Sequence, residues 1–202
     1  MAEDTRLDHK IICGMIEPDS KVLDLGCGDG TLLHLLANEK RARVHGIEVN
    51  EKAIYKCVEK GVSVFHEDIE GGLKNYPSKS FDYVILNQSM QETKNVEFVI
   101  NEALRVGTHV IVGFPNFAFL RARARIFFKG KVPITSSLPY QWYDTPNLHF
   151  LSLTDFIDFC RRKKLKILKK VYVGKGRSVR IFPNLFALNG IFLITRWDNA
   201  GK

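Results

Sequence analysis

Lys21 to Leu36 read KVLDLGCGDGTLLHLL, and the change of texture along this stretch decides the fold. An apolar run of strand length ends at Leu25, and Gly26, Gly28 and Gly30 follow at alternate positions. Apolar residues then return at helical spacing. A glycine can take positive φ and has no Cβ, so the backbone here can turn sharply and lie against a ligand. The helix that the glycines open, GTLLHLLANEK, adds N–H groups with no intrahelical partner, facing the same crevice. Alone, a glycine pattern is a weak signal. With a strand before it and a helix after it, the pattern marks a binding turn.

The same alternation runs from about residue 20 to residue 113. ARVHGIEV, VSVFHED, SFDYVILN and THVIVGFP read as strands, and NEKAIYKCVEKG and VEFVINEALRVG as helices. A parallel connection needs a helix-length crossover, so this spacing predicts βαβ units in a doubly wound α/β sheet. Ahead of the first strand, DTRLDHKIICGMI reads as a helix starting at Asp4 or Thr5. After GFPN the chain is rich in aromatics, arginine and proline. FAFLRARARIFFKG reads as an amphipathic helix and residues 131–150 as an ordered, aromatic-rich loop, of a length that is usually functional. SLTDFIDFCRRKKL is a helix capped by Ser152 or Thr154, and KILKKVYVG and NGIFLITRW close the chain as strands. The expectation is one domain over residues 1–202, with a cofactor-binding half at 1–115 and a partner or substrate half at 116–202.

With 202 residues and 45% apolar content, the chain can build one sizeable core. No run of eighteen apolar residues predicts a transmembrane helix, and MAEDTRLDHK has no secretory pattern. Cys13, Cys27, Cys57 and Cys160 are scattered without a CxxC pair, which fits reduced thiols in a cytoplasmic protein. The net charge of +8 has its excess in RARARIFFKGK (121–131), RRKKLKILKK (161–170) and GKGRSVR (174–180). Such runs can hold phosphate, meet an acidic protein or solvate a helix face, and no nucleic-acid-binding signature accompanies them.

Two acids follow later strands. Glu48 ends the second, where a carboxylate can accept hydrogen bonds from both hydroxyls of a ribose. Asp68 follows the third, where it can receive an adenine amino group beside the backbone of Ile69. The glycines are spaced G-x-G-x-G, not the G-x-G-x-x-G of a dinucleotide site, and Asp24 precedes them inside the strand. LDLGCGDG thereby resembles motif I of the class I methyltransferases, which favours S-adenosylmethionine or S-adenosylhomocysteine as the ligand. The resemblance implies a Rossmann-like seven-stranded sheet with the last strand antiparallel beside the fifth. The cofactor contacts it implies are Asp24, Gly26, Cys27, Gly28 and Gly30 in the first turn. Beyond the turn they are Glu48 with Val49, Asp68 with Ile69, and Asn87. No catalytic residue and no metal ligand is assigned.

GFPNFAFLRARARIFFKGKVPITSSLPYQWYDTPNLHFLSLTDF, and LPYQWYDTPNLH above all, resembles the characteristic segment of the MetW methionine-biosynthesis proteins. Together with VLDLGCGDG and DYVILNQSMQ, the likeness spans almost the whole chain. It implies a homoserine O-acyltransferase as protein partner. An S-adenosylmethionine-dependent methyltransferase acting on a small molecule is the alternative, and the basic runs alone suggest a nucleic-acid methyltransferase. Asn87 and Gln88, after the fourth strand, either meet the ligand or cap the next helix. Tyr140, Trp142, Tyr143 and His149 form a lid with a general base, a partner-binding surface, or packing that ties the loop down. His66 and His109 read as structural.

Overall fold

The computed structural model describes residues 6–197. The chain runs α1 (Leu7–Cys13), β1 (Lys21–Leu25), α2 (Thr31–Lys40), β2 (Arg43–Glu48), α3 (Glu51–Glu59) and β3 (Ser63–His66). It continues as α4 (Ile69–Gly72), β4 (Phe81–Asn87), α5 (Val96–Val106), β5 (Gly107–Pro115) and α6 (Leu120–Lys129). α7 (Leu153–Arg162), β6 (Leu165–Val173), α8 (Pro183–Phe186) and β7 (Asn189–Arg196) complete it. Single 3-10 turns lie at Leu73–Asn75 and Met90–Glu92.

All seven strands join one sheet in the order β3-β2-β1-β4-β5-β7-β6. The first five are parallel, and β7 runs antiparallel to both β5 and β6. This is the expected doubly wound, Rossmann-like sheet with its last strand reversed and inserted beside the fifth. β1 has β2 on one side and β4 on the other, so a crevice opens at the carboxyl end of β1.

Residue alternation along each strand feeds the two faces of the sheet. Val84 and Leu86 of β4 join Val112, Phe114 and Phe192 in one core, while Ile85 joins Leu33, Leu36 and Ile111 in the other. Phe114 and Phe192 stack at 5.6 Å and Phe156 of α7 leans on both. α7 is positioned by a capping box: Ser152 Oγ accepts from the Asp155 N–H at 3.2 Å, and the Asp155 carboxylate accepts from the Ser152 N–H at 2.8 Å. Of the two caps the sequence allows, the chain uses Ser152. β6 forms the sheet edge; its Lys166, Lys169 and Lys170 and an irregularity between Ile167 and Lys169 protect it from pairing with another chain.

The expected start of α1 at Asp4 or Thr5 lies outside the described residues. The short helices α4 and α8 have no counterpart in the sequence reading, because four residues are too few to show a helical period. Residues 131–150 contain no helix or ladder beyond a bridge between Thr135 and Leu138. No helix among the described residues is long and apolar enough to cross a membrane.

Candidate ligand-binding site

The turn after β1 is held to β2 by Gly26 and Cys27, whose N–H groups both donate to the Ile47 carbonyl, at 2.8 and 3.1 Å. Gly26, Gly28 and Gly30 have φ of 77°, 54° and 74°, a region L-residues rarely adopt. Two of them also leave room for a neighbour. A Cβ on Gly26 would stand 2.8 Å from Ser89 Cβ, and one on Gly30 would stand 2.9 Å from Cys57 Sγ. Gly28 differs: nothing lies within 4 Å of where its Cβ would be. The Asp29 carboxylate accepts from the N–H and the hydroxyl of Thr31 at the start of α2, and Lys60, just past α3, ties the turn down through its 2.8 Å ion pair with Asp29.

Glu48, at the end of β2, is aimed by backbone donors. Its Oε2 accepts from the Gly28 N–H and its Oε1 from the Val49 and Asn50 N–H groups, each at 2.9 Å. Asp68 caps α4, accepting from the Glu70 N–H at 2.9 Å. A cleft of about 430 Å³ brings Gly26, Glu48, Val49, Asp68, Ile69 and Asn87 together. Asp24, Cys27, Gly28 and Gly30 belong to β1 and the turn beside this cleft but are not among its lining residues. Asp24 is 3% exposed, and its Oδ1 has no hydrogen-bond partner. Burial, reinforced by the charge of Glu48, pushes the Asp24 carboxyl up to about 7.

A second cavity, of about 470 Å³, adjoins the first and shares Gln88 and Glu92 with it. Arg6 and Asp8 line it: the guanidinium grips the carboxylate at 3.1 and 2.7 Å, and Asn87 Nδ2 donates to Asp8 at 3.0 Å. Burial would raise the Asp8 carboxyl; the Arg6 and Asn87 hydrogen bonds outweigh it and hold Asp8 below its ordinary value. Burial and then the Glu48 charge raise Glu92. Asp8, Arg6 and Glu92 were not found by sequence reasoning, since no spacing rule links residue 8 to residue 87.

Neither Asn87 nor Gln88 caps the next helix. Asn95 does so, accepting from the Phe98 N–H at 3.0 Å, while Gln88 turns the chain at φ 66°. His149 is held by its ring nitrogen, 3.0 Å from the Thr93 carbonyl, and Leu148 and His149 both donate backbone N–H to Gln91. Tyr140 and Asn147 wall the second cavity, whereas Trp142 and Tyr143 pack edge to face on each other and stand 73% and 70% exposed. His66 bonds the Val49 carbonyl and His109 stacks on Tyr83, both structural roles.

Residues 6–194 match the family model described as methionine biosynthesis protein MetW. The chain belongs to the MetW family. A relative from Rhodopirellula baltica, named bifunctional methionine biosynthesis protein MetXA/MetW, is 33% identical over 187 residues. That match covers 88% of the MetW chain and 30% of the relative, so the chain spans under a third of that protein's length. The 27-O-demethylrifamycin SV methyltransferase of Amycolatopsis mediterranei is 29% identical over 155 residues, 68% of this chain and 57% of the relative. Solved structures share the fold at lower identity. A SAM-dependent methyltransferase of Archaeoglobus fulgidus has a TM-score of 0.66 at 13% identity, covering 93% of this chain and 94% of that one. The cyclase SpnF has a TM-score of 0.66 at 16% identity, over 93% and 80% of the two chains. The MetW sheet is thus of the class I methyltransferase kind, and that fold also occurs in a protein named for a different reaction.

Proposed function

We propose that this MetW chain binds S-adenosylmethionine or S-adenosylhomocysteine in the cleft at the end of β1, and that it supports a homoserine O-acyltransferase by forming a complex with it. The observation that carries the binding reading is the fit of the turn to such a ligand. Gly28 leaves open space where any other residue would place a Cβ. Glu48 is fixed by three N–H donors, and its Oε2, with one partner, can still accept from a ribose hydroxyl. Asp24 keeps a buried oxygen without a partner, suited to a cationic ammonium or sulfonium group reached through water. Asp68 and the Ile69 backbone suit an adenine edge, and Asn87 the amino-acid end. Gly26 and Val49 line the same cleft, and Cys27 and Gly30 belong to the turn beside it.

The partner reading is supported by the Rhodopirellula relative, whose name joins MetXA and MetW in one polypeptide. The chain works in the cytoplasm as one domain over 1–202, its first half holding the cofactor and its second meeting the partner. Titration calorimetry with S-adenosylmethionine, with and without purified homoserine O-acyltransferase while acyl transfer is followed, tests both parts. Binding that changes the acyltransferase rate is the expected result; absence of binding to the ligand and to the enzyme rejects it.

A second reading, methyl transfer to a small molecule, is favoured by the cavity that adjoins the cleft through Gln88 and Glu92. When bound, S-adenosylmethionine supplies an activated methyl group, so an acceptor there would need positioning more than acid–base help. Steady formation of S-adenosylhomocysteine, indifferent to the acyltransferase, would select this reading.

A further inference from the structure

We infer that the face built on α6, with the basic groove at its start, is where the chain docks the acyltransferase, which meets it with an acidic surface carrying apolar side chains. This rests on the partner reading above.

α6 buries one of its ten residues, Ala122. Phe127 and Phe128 are 83% and 78% exposed, packed only edge to face on each other. A helix this short gains little from propensity alone and is stabilised by covering its apolar side. Exposed apolar side chains continue off the helix at both ends. Arg121 shares a groove of about 660 Å³ with Ile181, and Arg125 shares a hollow of about 480 Å³ with Trp142. Arg121 and Arg125 are one turn apart, so both hollows open along the same side of α6.

Charge marks what fits there. Lys175, Arg177 and Arg180, from the turn after β6, join Arg121 in the groove, and no Asp or Glu lines it. Among the described residues none of these four forms an ion pair. In the hollow, Arg125 Nε is buried without a partner beside Lys131. Two basic stretches far apart in sequence, 121–131 and 174–180, are thereby brought to one face. Residues 1–100 carry 12 Lys and Arg against 17 Asp and Glu, and residues 101–202 carry 18 against 5, so the asymmetry belongs to this half. Uncompensated cations steer an acidic partner, while aromatic and arginine anchors supply the contact energy.

A protein suits this face better than a polyanion or a bilayer. The hollows have apolar walls, Val179 and Leu188 in one and Val132 and Ile134 in the other, which accept protruding side chains. A bilayer is met by a continuous apolar stripe, and single-stranded nucleic acid by rings laid along a track. Packing the face on itself across a two-fold axis would set its cations against one another.

The test measures the dissociation constant of the purified full-length chain with purified homoserine O-acyltransferase, at low and high salt. Arg121→Glu with Arg180→Glu should weaken the complex at least roughly tenfold at low salt and remove most of its salt dependence. Phe127→Ala with Phe128→Ala should weaken it similarly and leave the salt dependence in place. Lys52→Glu, on α3, should change neither. Each variant is required to keep the wild-type melting temperature and S-adenosylmethionine affinity. If the wild type forms the complex and both double variants bind as well as it does, the docking face is wrong and the partner reading stands. If the wild type forms no complex, both fall. Binding of the chain to tRNA, to anionic vesicles or to itself, lost in these variants while acyltransferase binding persists, also overturns the inference.

Discussion

Asp24 couples folding to pH. Its carboxyl loses a proton near the ordinary 3.8 when the chain is unfolded, but keeps it to about 7 in the buried site at the end of β1. Between those values the folded state binds the extra proton, so stability is greatest at the acid end and falls as pH rises through about 7. Asp24→Asn should flatten this slope, measured by urea unfolding from about pH 5 to about pH 8; equal slopes in the two proteins would reject the assignment. For Glu48, replacement by Ala leaves the Gly28, Val49 and Asn50 N–H groups without their acceptor. It should reduce S-adenosylmethionine affinity by about 1.5–3 kcal/mol, read by calorimetry. The places of both acids in the fold were legible in the sequence, Glu48 as the end of a strand and Asp24 as a strand residue just ahead of the glycines. The triad of Arg6, Asp8 and Asn87 was not, since it joins residues 79 apart through folding alone.

The strands from Lys21 to Pro115 and the helices α2, α3 and α5 were legible because strand-length runs alternate with segments of helical period, whereas α4 is too short to show one. Beyond Pro115, α6, α7, β6 and β7 were legible as types and the resemblance implied β7 antiparallel beside β5, but how α6 packs was not legible. That α6 stays unpacked cannot be read from LRARARIFFK, where an apolar stripe looks the same whether it meets a core or solvent. α7 is the contrast: its capping box could be read from SLTD, and its Phe156 reaches the core. Ser152→Ala should cost about 1 kcal/mol, measurable by chemical unfolding. Phe114→Ala, which empties the ring cluster beneath α7, should cost about 3–5 kcal/mol. If the second loss is no larger than the first, that cluster is not what holds α7 to the sheet.

At the scale of the whole molecule, the acidic half lines the cleft at the end of β1 and the basic half carries most of the exposed aromatics. Trp142→Ala should therefore weaken the acyltransferase complex while leaving S-adenosylmethionine affinity unchanged, with calorimetry reading both. Equal loss of the two would mean a folding defect. The insertion of β7 beside β5 has a further consequence. Pro115 and Asn189 are partners in the ladder, and the Asn116 N–H donates to the Leu188 carbonyl at 2.7 Å. Between them, residues 116–188 leave β5 and return to β7 at neighbouring points, on the way adding β6 to the outer edge of the sheet and Phe156 of α7 to its core. Exchanging such a segment leaves its two anchorages where they are, provided that its strand still pairs along β7. Grafted onto another scaffold of this fold, it should bring its choice of partner with it and leave the host's ligand cleft as it was.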